Sequence, residues 1–234
     1  MSLLAVRDIH TYYGKSYILQ GVSLELEKGE IVALLGRNGA GKTTTLNAIM
    51  GFVKPRSGSI LLKNEEIAGK DTFRIARMGI AYVPQGRRLF PGMTVIENLK
   101  TGMVGRPAGD GLDRVFDLFP NLKGKLGQKA GSLSGGEQQA LAISRAILKK
   151  PEVLLLDEPT TGLMPLFVSS LRGIIRKLNE FGMTILLIEE KVPFALALAD
   201  RVYFMVKGRI EHTAPSEELR GRKEIFVRYL GIEA

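Results

Sequence analysis

The sequence predicts an α/β fold built on a parallel sheet. Continuous apolar runs at 31–35, 80–83, 153–156 and 183–188 have the length and composition of strands buried on both faces. A glycine-rich loop joins the first run to a helical pattern, as strand–loop–helix units do. Helical patterns separate the remaining runs, which is how parallel strands must be connected.

The 234 residues are enough for one large core, or one core with a small satellite. A hydrophobic content of 45% and a charged content of 24% are those of a water-soluble globular chain. Arg7 and Asp8 come early and no apolar h-region precedes them, so no signal peptide is expected. No apolar run approaches the roughly 18 residues of a membrane span. Without cysteine the chain has neither disulfides nor thiolate metal sites. The net charge of +9 favours anionic partners. Its clusters are short: Arg87-Arg88, Lys149-Lys150 and Arg220-Gly221-Arg222-Lys223. A solvated basic surface fits them better than a nucleic-acid stripe, and no nucleic-acid partner is expected.

Taken in order, residues 3–13 and 17–26 predict two strands. Val22, Leu24 and Leu26 alternate with polar residues, as in a half-exposed antiparallel pair. Tyr12-Tyr13-Gly14 lies between them; an aromatic here could stack on a base or simply pack. The run 31–35 then enters the loop, and the helical pattern from Thr44 to Met50 stops at Gly51. A strand is expected at 58–62, a short helix at 72–78, and a strand at 80–83 ending in Pro84-Gln85-Gly86. From Gln85 the texture changes. Pro91, Gly92, Gly102, Gly105, Pro107, Gly109, Gly111 and Pro120 interrupt short helical patterns such as 95–99 and 112–118, which predicts a small helical insert. Ser134 caps the amphipathic pattern from 135 to 148, and Glu137 three residues on completes a capping box. Strand and helix alternate again from 151 to 200. A hairpin over 201–206 and 210–213 turns at Lys207-Gly208, and helical patterns at 215–220 and 223–230 close the chain.

The loop Gly36-Arg37-Asn38-Gly39-Ala40-Gly41-Lys42-Thr43-Thr44 fits G-x-x-x-x-G-K-[ST]. Its glycines free the backbone N–H groups, which with the positive helix end can surround a polyphosphate. Lys42 would reach the β- and γ-phosphates, and Thr43 offers a hydroxyl to Mg²⁺. A turn that binds nothing is the alternative; strand, Lys and Thr all in place argue against it. The motif alone says nucleoside triphosphate and Mg²⁺, shared by kinases, GTPases and motor ATPases. Residues 153–156 deliver Asp157-Glu158 at a strand end, the form in which Asp157 would hold Mg²⁺ and Glu158 would polarise an attacking water.

Gly36 to Thr43, Gln85, Leu133-Ser134-Gly135-Gly136-Glu137-Gln138 and Asp157-Glu158 follow in the order of an ABC-family ATPase, which the chain resembles over nearly its whole length. The Leu-Ser-Gly-Gly-Glu-Gln stretch discriminates, since other P-loop families lack it. The resemblance implies a P-loop NTPase (ABC ATPase) core with a parallel sheet and an antiparallel β subdomain over 1–84 and 151–234. A helical insert subdomain over 85–150 would carry the signature. It implies ATP and Mg²⁺ as cofactors, with Thr43, Gln85 and Asp157 at the metal. Tyr13, rather than Tyr12, would stack on adenine. Gln85 would also touch the water and couple to a membrane partner. Ser134, Gly135, Gly136 and Glu137 would close over the triphosphate of a second protomer, with Gly162-Leu163 in the D-loop.

Tyr12-Tyr13-Gly14, the segment 83–91 and the tail Tyr229-Leu230-Gly231 are similar to one importer group: the second, shorter ATPase of branched-chain amino-acid and amide importers, urea systems included. This implies a peripheral subunit on the cytoplasmic face of the cell membrane. Two integral-membrane permeases, a second ATPase chain or copy, and an extracytoplasmic solute-binding protein would be its partners. Arg87, Arg88, Leu89 and Phe90 are candidates for the permease contact. A soluble ABC ATPase and a P-loop nucleotide kinase are the rival readings; the first would usually carry a coiled-coil insertion or two cassettes, the second an acceptor lid.

Two positions depart from the family. The switch position, usually His and in this group often Gln, is Glu190. An ionised Glu cannot donate to a γ-phosphate and faces a polyanion. Either the site hydrolyses slowly or needs a protonated or displaced Glu190, or Glu190 points away and a water makes the contact. Met164 stands where the D-loop commonly has Asp, Asn or Ala.

Overall fold

Alternation in the first two segments makes them pair before they pack. In the computed structural model, which describes residues 2–103 and 111–231, β1 (Ser2–Tyr13) and β2 (Ser16–Glu27) form an antiparallel hairpin. Val22, Leu24 and Leu26 of β2 are buried while Ser23, Glu25 and Glu27 face outward. β3 (Ile31–Gly36), buried at every position, leads through the glycine-rich loop into α1 (Lys42–Ile49). β4 (Ser57–Leu62) and β5 (Glu65–Glu66) complete a four-stranded antiparallel sheet in the order β2-β1-β4-β5. α2 (Thr72–Arg77) precedes β6 (Ile80–Val83).

Four helices follow: α3 (Val95–Thr101), α4 (Leu112–Leu118), α5 (Pro120–Lys123) and α6 (Gly135–Ile147). Gly105, Pro107 and Gly109, read as breakers, lie outside the described residues. Then come β7 (Val153–Asp157), α7 (Pro165–Glu180), β8 (Thr184–Glu189), α8 (Val192–Leu196), β9 (Arg201–Val206), β10 (Arg209–Pro215), α9 (Ser216–Leu219) and α10 (Lys223–Leu230).

The central sheet has six strands in the order β10-β9-β3-β8-β7-β6, parallel except for β10. Alternate residues of β3 divide the core. Ile31, Ala33 and Leu35 join one apolar cluster with the insert's Val95, Leu99, Val115, Leu122 and Leu141. Val32 and Leu34 join the antiparallel sheet's Leu4, Val6, Ile9 and Leu24 on the other side. The parallel register sets Leu35 beside Glu189, Asp157 beside Ile188 and Val83 beside Leu156, so the loops leaving β3, β8, β7 and β6 emerge along one edge.

The helix after the loop starts at Lys42 rather than Thr44, because Gly41, at φ +113°, turns the chain into its first turn. The last strand of the 183–188 run begins one residue later and includes Glu189. No described helix is long and apolar enough to cross a membrane.

The β9–β10 turn braces the loop. Gly208 N donates to Ala40 O at 2.8 Å, and Gln20 N donates to Gly208 O at 2.8 Å. Gly208 sits at φ +81°, and a Cβ there would lie 1.9 Å from Ile18 O. Gly208→Ala is therefore expected to cost about 2–4 kcal/mol, the sum of a left-handed backbone and a clash with main chain. Urea denaturation of the two proteins checks this, and an unchanged midpoint would contradict it.

Candidate functional site

The loop leaving β3 carries Arg37, Asn38 and Gly39 exposed, and tucks Lys42 inside with a side chain only 5% exposed. Lys42 Nζ donates to Gly36 O at 2.7 Å and Arg37 O at 3.2 Å, closing the loop around its own ammonium. The same nitrogen lies 3.6 Å from Glu190 Oε1 and 4.0 Å from Glu158 Oε1. A cleft of about 270 Å³ is lined by Asn38, Gly39, Ala40, Gly41, Lys42, Thr43, Thr44, Gln85, Glu158 and Ile18. The structure thus brings Gly36–Thr44, Gln85, Asp157, Glu158 and Glu190 to one place, from four strand ends.

Asp157, buried at the end of β7, accepts from Thr43 Oγ1 at 3.2 Å on one oxygen and from the Tyr82 hydroxyl at 3.0 Å on the other. Desolvation pushes its carboxyl above the ordinary range, and those two hydrogen bonds pull it back. Burial and the neighbouring Asp157 together push the Tyr82 phenol up, so it stays a donor. Thr43 and Asp157 offer hard oxygens at hydrogen-bond distance from each other, the donor type Mg²⁺ prefers. Gln85 Nε2 donates to Glu158 Oε2 at 2.7 Å, which leaves its amide oxygen available as a third ligand. Glu158, at a left-handed φ of 46°, also accepts from Thr161 Oγ1 at 3.2 Å. Its two hydrogen bonds fix one carboxylate oxygen while the other faces Lys42.

Glu189 is buried and staples two of these loops together. It accepts from Thr160 N at 3.0 Å with one oxygen and from Glu190 N at 3.3 Å with the other. Burial raises its pKa, and the Thr160 and main-chain hydrogen bonds oppose that. Sequence reasoning gave neither Glu189 nor Tyr82 a role. A tyrosine inside a buried strand is the signal that could have found Tyr82, because its hydroxyl needs a partner.

The aromatic pair divides its duties. Tyr12 is stacked on Tyr17 at 4.4 Å between centroids, with the Arg56 guanidinium 4.0 Å from its ring. Tyr13 is exposed and its hydroxyl accepts from Asn47 Nδ2 of α1 at 3.4 Å.

The segment Ser134 to Glu137 stands apart. Ser134 Oγ accepts from Glu137 N at 3.4 Å, and Glu137 Oε2 accepts from Ser134 N at 3.0 Å, the expected capping box. Lys125 donates to the same Glu137 carboxylate and is the main reason its pKa falls. Gly136 packs so closely on Phe167 of α7 that a Cβ would lie 2.6 Å from the ring. Among the described residues these contacts run to Lys125, Phe167 and Arg87, not to the segment's own 36–44 loop. Arg87 Nη1 donates to Gln138 Oε1 at 2.9 Å and its guanidinium reaches toward Gly135 and Gly162. Of the four candidate docking residues, Arg88 and Phe90 are exposed, while Arg87 and Leu89 turn inward.

Known proteins share both the sequence and this shape. The ABC transporter family model matches residues 19–161. The chain is 44% identical to the "High-affinity branched-chain amino acid transport ATP-binding protein BraG" of Pseudomonas aeruginosa, over 98% of this chain and 100% of that one. It is 36% identical to the "Probable branched-chain amino acid transport ATP-binding protein LivF" of Archaeoglobus fulgidus, over 98% and 99%. A nucleotide-free ATP-binding cassette from an ABC transporter superposes with a TM-score of 0.86 at 27% identity, covering 98% of this chain and 97% of that one. A bacterial ABC transporter cassette solved as a dimer superposes at 0.80 with 27% identity, covering 91% and 98%. With the signature helix, the paired acids and the phosphate-type loop on one frame, the chain belongs to the ABC transporter family.

Proposed function

We propose that this chain is the ATP-hydrolysing subunit of an ABC importer for branched-chain or other hydrophobic amino acids. The observation that carries the reading is the convergence of Lys42, Thr43, Gln85, Asp157 and Glu158 on one cleft. The solute class is supported by the 44% identity to BraG along the whole chain. A related amide such as urea is the alternative cargo.

In this reading the N–H groups of 37–44 and the Lys42 ammonium hold the β- and γ-phosphates, and Tyr13 stacks on the adenine. Thr43, Asp157 and the Gln85 oxygen would hold Mg²⁺, which would supply neutralisation of phosphate charge. Glu158, oriented by Gln85 and Thr161, takes the hydrogen bond of a water placed in line with the γ-phosphorus. Ser134 is exposed, and Gly135 and Gly136 lie against Arg87 and Phe167, not against the 36–44 loop; in this reading the three serve a second protomer's nucleotide. Two triphosphates then favour the closed pair by their difference in affinity for closed and open forms. Hydrolysis removes that difference and the pair reopens.

The insert 85–150 is the unit that passes the motion on. A groove of about 410 Å³ between it and the sheet is lined by Phe52, Tyr82, Arg88, Phe90, Arg145 and Lys149, among others. It suits a permease segment lying against the ATPase at the cytoplasmic membrane face. Asn98 holds the groove's rim: its side chain accepts from Phe90 N and donates to Phe90 O, both at 3.0 Å. Arg145 donates to Arg88 O at 2.8 Å from the other side.

Glu158→Gln keeps the shape and removes the charge that activates water. It is expected to lower phosphate release by about 100-fold or more and to trap an ATP-bound dimer visible by light scattering. A variant that hydrolyses normally, or phosphate transfer from wild type to a nucleoside monophosphate, would overturn the ATPase reading. If Glu190 makes this site slow, Glu190→His raises the ATPase rate of the assembled transporter; an unchanged rate means that it does not. Reconstitution with the neighbouring permeases should give ATP-dependent leucine uptake that is lost in Glu158→Gln.

A further inference from the structure

The ammonium of Lys42 has oxygen neighbours of two kinds. Gly36 O and Arg37 O belong to the loop itself and hold the side chain in place. Glu158, which lines the cleft, lies 4.0 Å from the ammonium, and Glu190, which lines a neighbouring recess, lies 3.6 Å from it. Glu158 is fixed there by Gln85 and Thr161. Glu190 is 41% exposed, and Lys42 is the partner of its carboxylate. If residues 36–44 are a triphosphate cradle, on which this inference rests, Lys42 bridges the β- and γ-phosphates and its open side is where the γ-phosphate sits. Glu190 therefore places a carboxylate oxygen on the cation that the γ-phosphate would need.

We propose that Glu190 sets the nucleotide preference of this site, favouring the diphosphate over the triphosphate by standing in for the γ-phosphate on Lys42. With ADP bound, the β-phosphate fills the loop and Glu190 keeps its ion pair. With ATP bound, the γ-phosphate oxygens meet a like charge, and Glu190 must give up Lys42 and swing outward. Space for that swing exists: a recess of about 310 Å³ is lined by Glu190, Gly36, Arg37, Asn38, Leu230 and Gly231. The penalty falls on ATP alone, because ADP carries nothing at that place. A neutral side chain removes it. The resting state of this site is thereby biased toward the product form, and closure on a second protomer must supply what ATP binding alone lacks.

The test is competition of ATP and ADP against a fluorescent nucleotide on the purified full-length chain, in excess EDTA so that nothing is hydrolysed. Wild type is expected to bind ADP more tightly than ATP. Glu190→Gln and Glu190→Ala are each expected to tighten ATP by about tenfold, with ADP changed by less than about twofold, as loss of one short-range like-charge repulsion requires. An unchanged ATP/ADP ratio in both variants overturns the inference and leaves the cradle intact. So does a gain in the Gln variant alone, since that would be a new hydrogen bond rather than a lost repulsion. Failure of every protein to bind either nucleotide, in a parallel titration with Mg²⁺ as well as in EDTA, would instead remove the reading of residues 36–44 on which the inference stands.

Discussion

The site depends on one buried cation. Lys42 sits almost fully out of water, and an ammonium there is tolerable only because carbonyl and carboxylate oxygens surround it. Those oxygens come from loops that are far apart in the chain. They meet because β3, β8 and β7 are adjacent and parallel, so their carboxyl ends share an edge. The sheet's register is thus a condition of the electrostatics. Slippage by one residue on β7 would turn Asp157 to the other face and separate it from Thr43.

Much of this was legible in the sequence, for reasons that differ by element. β3, β6 and β7 could be read because strands covered on both faces are unbroken apolar runs. α6 announced its start through Ser134 and Glu137, whose reciprocal hydrogen bonds are local. The Lys42 loop was legible because glycine, lysine and threonine at fixed spacing admit few geometries. What the sequence hid was pairing over distance. Tyr82 and Asp157 are 75 residues apart, and only the β6–β7 register brings them together. Glu189 looks like one more acid after an apolar run; its role follows from the position of Thr160. Arg87 and Leu89 were grouped with Arg88 and Phe90 by adjacency, whereas the tight turn through positive φ at 87 and 88 sends alternate side chains to opposite sides.

Among the described residues, the helical insert has no core separate from the sheet. Val95, Leu99, Val115 and Leu141 share a cluster with Leu154, Leu156 and Leu187 of the central strands. Apolar burial of that kind resists separation but tolerates small sliding, which suits a unit that shifts against the sheet without detaching. Polar clamps at its rim are directional by contrast. Asn98 fixes the loop 90–94 by four main-chain contacts, which hold the shape of the groove wall.

Arg87 ties together two segments that the proposed function assigns to different nucleotides. Its main chain follows Gln85, beside the chain's own cleft, and its guanidinium holds Gln138, one turn into the helix that Ser134 caps. A large shift of Gln85 relative to Ser134 would strain the Arg87–Gln138 bond. In the proposed pair, the Arg87–Gln138 bond would carry a change of occupancy in one half toward the surface that the same subunit presents to its neighbour.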